Sequence, residues 1–170
     1  MISKKLQKAL NDQMNFEFHS AHIYLQMAAY ATAKGYDGVA NFFLVQEKEE
    51  RTHGMKFYNF LAQCDVEIEI TGFDMAPVAY ERIIDIYRAA LAHEKIVTER
   101  IYDIADIAQE EREHATSQLL SWFINEQVEE MANFNKQIHT LEHIDEETND
   151  MLVFDQAMAA RTFVDTTGVV

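Results

Sequence analysis

The chain has 170 residues, a formal net charge of −15 and a single cysteine, Cys64. This length suits one domain with a sizeable core, the charge repels nucleic acid, and one cysteine supports neither a disulfide framework nor a cysteine-based metal site. No secretory apolar stretch opens the sequence and no apolar run approaches the roughly 18 residues of a membrane span. The expected setting is therefore cytoplasmic, with no membrane or nucleic-acid partner. An acidic surface also attracts cations, although solubility alone accounts for it.

With one Pro (Pro77) and five Gly, the chain permits long uninterrupted helices. The first is expected over 4–33, with Ser3 as N-cap and Gly35 at the C′ position. The second follows Asp37, whose carboxylate can accept from the free N–H groups there, and stops near Cys64. Over 65–79, the alternation Val66-Glu67-Ile68-Glu69-Ile70 reads as an extended segment with one apolar face. Thirty helical residues measure about 45 Å at ~1.5 Å each, and fifteen extended ones reach about 50 Å at ~3.3 Å each. The segment can thus run the length of a bundle and leave the second and third helices parallel. The third helix is expected over 80–108 and the fourth over 113–142. The short turns at 34–36 and 109–112 make each flanking pair antiparallel. Residues 151–158 read as a short apolar fifth helix that needs a partner surface, and 161–170 as a flexible C-terminal tail. The expected fold is all-α, a four-helix bundle with one long crossover and a short fifth C-terminal helix.

Each long helix carries an apolar seam at 3-4 spacing. The seams are Leu6, Leu10, Met14, Glu17, Ala21, Tyr24; then Val39, Phe43, Gln46, Glu50, His53, Phe57; then Ile84, Tyr87, Leu91, Glu94, Thr98, Ile101, Ala105; and Leu120, Phe123, Gln127, Glu130, Phe134, Ile138. All four break near their midpoints, and each break contains a glutamate. Helices packed side by side bring their midpoints to one depth, so Glu17, Glu50, Glu94 and Glu130 should converge, with His53 and Gln127 beside them. Ionised carboxylates in one dry core are severely destabilising without a counter-charge, and no Lys or Arg lies on the seams at that level. Metal ions supply the charge, and oxygen-rich ligands with one imidazole suit iron or manganese. A buried polar network is the metal-free alternative.

Four stretches stand out: Asn15-Phe16-Glu17, Glu49-Glu50-Arg51-Thr52-His53, His93-Glu94, and Trp122-Phe123-Ile124-Asn125-Glu126-Gln127-Val128-Glu129-Glu130. Through them, and over 3–160, the sequence resembles the bacterial-type non-haem ferritins of the ferritin-like di-iron family. In that family a Glu-x-x-His works with single glutamates on facing helices. The resemblance implies one ferritin-like di-iron domain over 1–160. It implies one iron held by Glu17, Glu50 and His53, and a second held by a bridging Glu50 and by Glu94, with Glu130 and Gln127 beside it. Tyr24, seven residues after Glu17, is implied to serve the same centre; an ordinary seam aromatic is the alternative. Glu49, Glu126 and Glu129, with Glu130, match a third iron site, against the alternative of a solvated acidic face. The implied activity is ferroxidation, Fe(II) to Fe(III) with O2 or H2O2, and storage of ferric mineral in a homo-oligomeric cage of 24 subunits.

Two departures from the related bacterioferritins carry expectations. Gln127-x-x-Glu130 stands where they place a second Glu-x-x-His, so the second iron should be held more weakly. Arg51 stands where they place a haem-binding Met, so no haem is expected. A rubrerythrin-like peroxidase is a rival, normally paired with a cysteine-bound electron donor. A DNA-protecting mini-ferritin is another, with metals between subunits and no fifth helix. Glu110, Glu111, Glu113 and His114 lie at a turn that lines pores in such cages, with a plain solvated turn as the alternative. Trp122 is expected in the core.

Overall fold

The computed structural model describes residues 2–76 and 79–168, so Pro77 lies outside the described residues. Five helices follow in order: α1 (Lys4–Ala33), α2 (Asp37–Gln63), α3 (Ile83–Glu110), α4 (His114–Leu141) and α5 (Asn149–Ala159). No strand occurs among the described residues.

The ends of the helices are set by local chemistry. The Ser3 side chain accepts from Leu6 N and opens α1, as its N-cap position predicts. Three helices end alike, with a left-handed residue followed by an amide that reaches back five positions to a carbonyl. Tyr36 N donates to Ala31 O after Gly35, Val66 N to Leu61 O after Asp65, and Glu113 N to Ala108 O after Arg112. The start of α2 departs from expectation. Its N-cap residue is Tyr36 and Asp37 is already helical. The cap comes instead from α5, whose Asp155 accepts from Val39 N at 2.8 Å. Only glycine fits beside it, because a Cβ on Gly38 would lie 1.8 Å from Asp155 O. Helix α3 starts three residues later than expected, since Asp85 reaches back to accept from Arg82 N at 3.0 Å.

The direction of the helices follows from contacts at their ends. Glu146, just past α4, accepts from Ile83 N at 3.0 Å and from the Tyr36 hydroxyl through its carbonyl at 3.4 Å. Both α2 and α3 therefore begin at the end where α4 stops, and the two run parallel. The crossover is tied down by two asparagines one turn apart on α1. Asn11 donates to Glu67 O and accepts from Glu69 N; Asn15 donates to Glu69 O and accepts from Thr71 N. The apolar face of that segment is only partly used: Val66 is buried, but Ile70 is 66 % exposed.

The core is divided in two. One apolar cluster, including Tyr24, Phe43, Tyr87 and Phe134, fills the end of the bundle that α5 covers through Met151 and Phe154. The other, including Leu10, Met14, Phe57, Ile101 and Phe123, fills the opposite end. Between them lies a layer of buried polar side chains: Gln13, Glu17, Ser20, Gln46, Glu50, His53, His93, Glu94, Thr98, Gln127 and Glu130. The seams on α1 and α4 hold their expected register. On α3 Leu91 and Ala105 are only half-buried, and Ala90, Val97, Ile104 and Ala108 face the core.

Candidate metal centre

The polar layer is where the four interrupted seams meet. Glu17 from α1 and Glu50 and His53 from α2 each offer a ligand atom, and these atoms all lie within 4.8 Å of one another. The i, i+3 spacing places Glu50 and His53 on one face of α2, with Glu50 Oε2 3.5 Å from His53 Nδ1. The imidazole is held edge-on by Trp122 and Phe123, at ring distances of 5.4 and 5.9 Å. Trp122 is thus a half-buried cover over His53 rather than a core residue, with Lys56 Nζ 4.5 Å from its ring centre.

Glu94 and Glu130 complete the layer from α3 and α4. The Tyr24 hydroxyl donates to Glu94 Oε1, and Gln127 Nε2 donates to Glu94 Oε2 at 2.7 Å. Tyr24 is fully buried and hydrogen-bonded to a carboxylate of the cluster, while its ring also stacks on Phe43 and Phe134. Gln46 Nε2 donates to Glu130 Oε2 at 2.9 Å.

Not every acceptor in the layer is satisfied. Glu17 Oε2, Glu50 Oε2, Gln46 Oε1 and Gln127 Oε1 are buried and accept from no amide or hydroxyl in the described structure, and the carboxyls of Glu17 and Glu50 meet only by sharing a proton. Unsatisfied buried acceptors cost roughly 1–3 kcal/mol each, more for a charged group. Burial drives all four glutamates toward the protonated form. Glu17 is pushed up to about 8 by burial and then by the charge of Glu50. Glu130 is pushed to about 8 by burial and then by Glu94, and Glu94 to about 7 by burial, offset by the Tyr24 and Gln127 hydrogen bonds. Glu50 is likewise raised, by burial and then by the charges of Glu94 and Glu130. A multivalent cation can relieve both conditions, accepting the orphaned lone pairs and holding the carboxylates ionised. The donor set, four carboxylates with one imidazole, fits a hard metal ion.

Several supporting side chains carry no role in the sequence reading. Gln13 Nε2 donates to Glu17 Oε1 at 2.8 Å and is itself fixed by Arg100 Nε, which donates to Gln13 Oε1 at 2.7 Å. Each of Gln13 and Gln46 stands four residues before a glutamate of the cluster, a spacing visible in the sequence. Ser20 Oγ lies 2.7 Å from His93 Nε2, and burial lowers His93 to about 4, so a neutral imidazole packs against the layer.

The outer acids are arranged differently. Glu49 and Glu126 are half-buried and Glu129 is exposed one turn beyond Glu126. Arg161 Nη2 donates to Glu49 Oε2 at 2.5 Å and Thr166 Oγ1 to Glu126 Oε1 at 3.4 Å. The tail over 161–168 therefore lies against α2 and α4; residues 169–170 lie outside the described residues. At the α3–α4 turn Glu113 caps α4, accepting from Thr116 N at 2.6 Å, and Glu111 accepts from Ser3 Oγ. Arg51 is exposed and paired with Glu47.

Fold and layer together define the class: an all-α bundle of the ferritin-like kind, with a carboxylate-imidazole cluster between two apolar halves. Comparison with known proteins agrees. Residues 7–144 match the Ferritin family, described as the ferritin-like domain. The chain is 39 % identical over 163 residues to the bacterial non-heme ferritin of Staphylococcus aureus strain USA300, covering 96 % of this chain and 98 % of the relative. It is likewise 39 % identical to the bacterial non-heme ferritin of Staphylococcus haemolyticus over the same shares. Among solved structures it superposes on an engineered closed form of Archaeoglobus fulgidus ferritin with a TM-score of 0.93 at 32 % identity, covering 96 % of this chain and all of the other. A humanized archaeal ferritin gives 0.94 at 33 %, over 97 % of this chain and all of that one. The chain belongs to the ferritin family.

Proposed function

We propose that the protein stores iron and oxidises it on entry, with Glu17, Glu50, His53, Glu94, Gln127 and Glu130 as the oxidation centre. The observation that carries this reading is the set of orphaned acceptors inside a layer of four glutamates raised toward protonation. Iron is the substrate. Glu17 and His53 hold one ferrous ion, Glu94, Glu130 and Gln127 the other, and Glu50 bridges them. Binding expels the protons that burial places on the carboxylates. Two ferrous ions give one electron each, and O2 takes the two electrons and two protons to become H2O2; H2O2 itself takes two to become water. Anionic oxygen ligands favour the ferric state and so pull the oxidation forward. Gln127, a neutral ligand, holds its ion less tightly, which lets the product leave. Glu49, Glu126 and Glu129 receive iron leaving the centre, and the mineral forms inside a 24-subunit cage.

Glu50→Ala and His53→Ala should each slow ferrous oxidation by at least about a hundredfold, since losing even an indirect partner of a metal ligand costs ~10–100-fold. Stopped-flow absorbance after mixing with Fe(II) in air reads this. Unchanged initial rates in both variants would remove the site from the reaction.

A further inference from the structure

The described end of the chain is strapped across the acids beside the centre. Asn41 Nδ2 donates to Arg161 O at 2.9 Å and to the Met158 carbonyl at 3.3 Å, fixing the point where the chain leaves α5. The Arg161 guanidinium then sits over the Phe42 ring, 4.3 Å from its centre, donates to Phe42 O at 3.3 Å and reaches Glu49 at 2.5 Å. Farther on, Thr166 meets Glu126, and Lys56 Nζ donates to Thr167 O at 3.0 Å.

The charges are unequal to the task of holding both acids. Arg161 neutralises Glu49, while Thr166 brings Glu126 a hydroxyl and no charge. A divalent cation bound between the two carboxylates would offer twice the charge of the guanidinium and satisfy both.

We propose that Arg161 is a built-in competitor for the cation subsite at Glu49 and Glu126: it occupies Glu49 in the iron-free subunit and is displaced when a divalent ion arrives, releasing segment 161–168 from the face between α2 and α4. This rests on the reading that these acids receive iron, and it adds that the chain's own end sets how readily they do so. Arg161 is thus a positioning residue, acting on iron through its hold on Glu49.

The test uses Co(II) on the whole protein, which reports cation binding without ferrous oxidation. Calorimetric titration should resolve a tighter and a weaker class of ions in the unaltered chain. Arg161→Gln should tighten the weaker class about tenfold, the scale of one charge-assisted hydrogen bond, and leave the tighter class unchanged. In a Glu49→Gln background the same substitution should have no effect. Hydrogen exchange of 161–168, read by mass spectrometry, should quicken on adding Co(II). Equal weak-class affinity with and without Arg161, or exchange that Co(II) does not alter, would overturn the proposal. A Co(II) response that depends on Arg161, in a protein that fails to oxidise Fe(II), would support it while removing the ferroxidase reading.

Discussion

Glu17 shows at the scale of one residue how this protein trades stability for a site. Its carboxyl is buried, one oxygen takes a hydrogen bond from Gln13, and the other accepts from no amide or hydroxyl in the described structure. Its ordinary value of 4.5 rises to about 8. Because the folded value exceeds the unfolded one, the folded chain binds the proton more tightly. The contribution is fully favourable below about 4.5 and is lost as pH rises through about 8. The shift is worth on the order of 5 kcal/mol for this one group. Glu17→Gln should therefore raise the melting temperature of the iron-free protein at pH 8.5 and have little effect at pH 4.5, read by calorimetry at both. A larger gain at the acid end would contradict the burial of an unpaired carboxylate here. Saturating divalent metal should reverse the trend in the unaltered protein, because metal holds the carboxylates ionised and binds more tightly as protons leave.

At the scale of the element, α5 is less an appendage than part of the end of α2. Asp155 caps Val39 N from outside, and Gly38 leaves room for it. Asp155→Ala should cost about 1 kcal/mol, the usual loss of a helix N-cap. Gly38→Ala, which would gain about 1 kcal/mol in an isolated helix, should instead destabilise, since its Cβ would collide with Asp155 O. Thermal melts of both variants test this; a stabilised Gly38→Ala would place α5 elsewhere. This cap also marks where sequence reading stops. Helix lengths, the long crossover and the interrupted seams are legible because they rest on periodicity and on charges out of place in an apolar stripe. Asp37 looks like the cap of α2 because an acidic residue stands at the right position, yet the group that serves comes from 118 residues downstream of it. Arg100 is similarly hidden, an ordinary polar residue until Gln13 is placed against it, whereas Gln13 and Gln46 show in the sequence only as polar residues four positions before a glutamate. The contacts of Arg161 with Phe42 and Glu49 leave no local pattern at all.

Across the whole molecule, polar and apolar surface are distributed for assembly. α5 buries Met151 and Phe154 against the bundle and turns Leu152 and Val153 outward, 56 % and 64 % exposed. An apolar face left outside a complete bundle is stabilised by covering it. Native mass measurement should find a particle of about 470 kDa, 24 copies of the 19.7-kDa chain, and Leu152→Glu with Val153→Glu should break it into smaller species. A monomer of unaltered sequence would rule out the cage.

Anaerobic soaking of crystals in ferrous salt, with anomalous scattering recorded at the iron edge, locates the bound ions. A strong peak is expected bounded by Glu17, Glu50 and His53 and a weaker one beside Glu94, Glu130 and Gln127. Iron found only on exposed surface acids, with the buried layer empty, would contradict this placement of the centre.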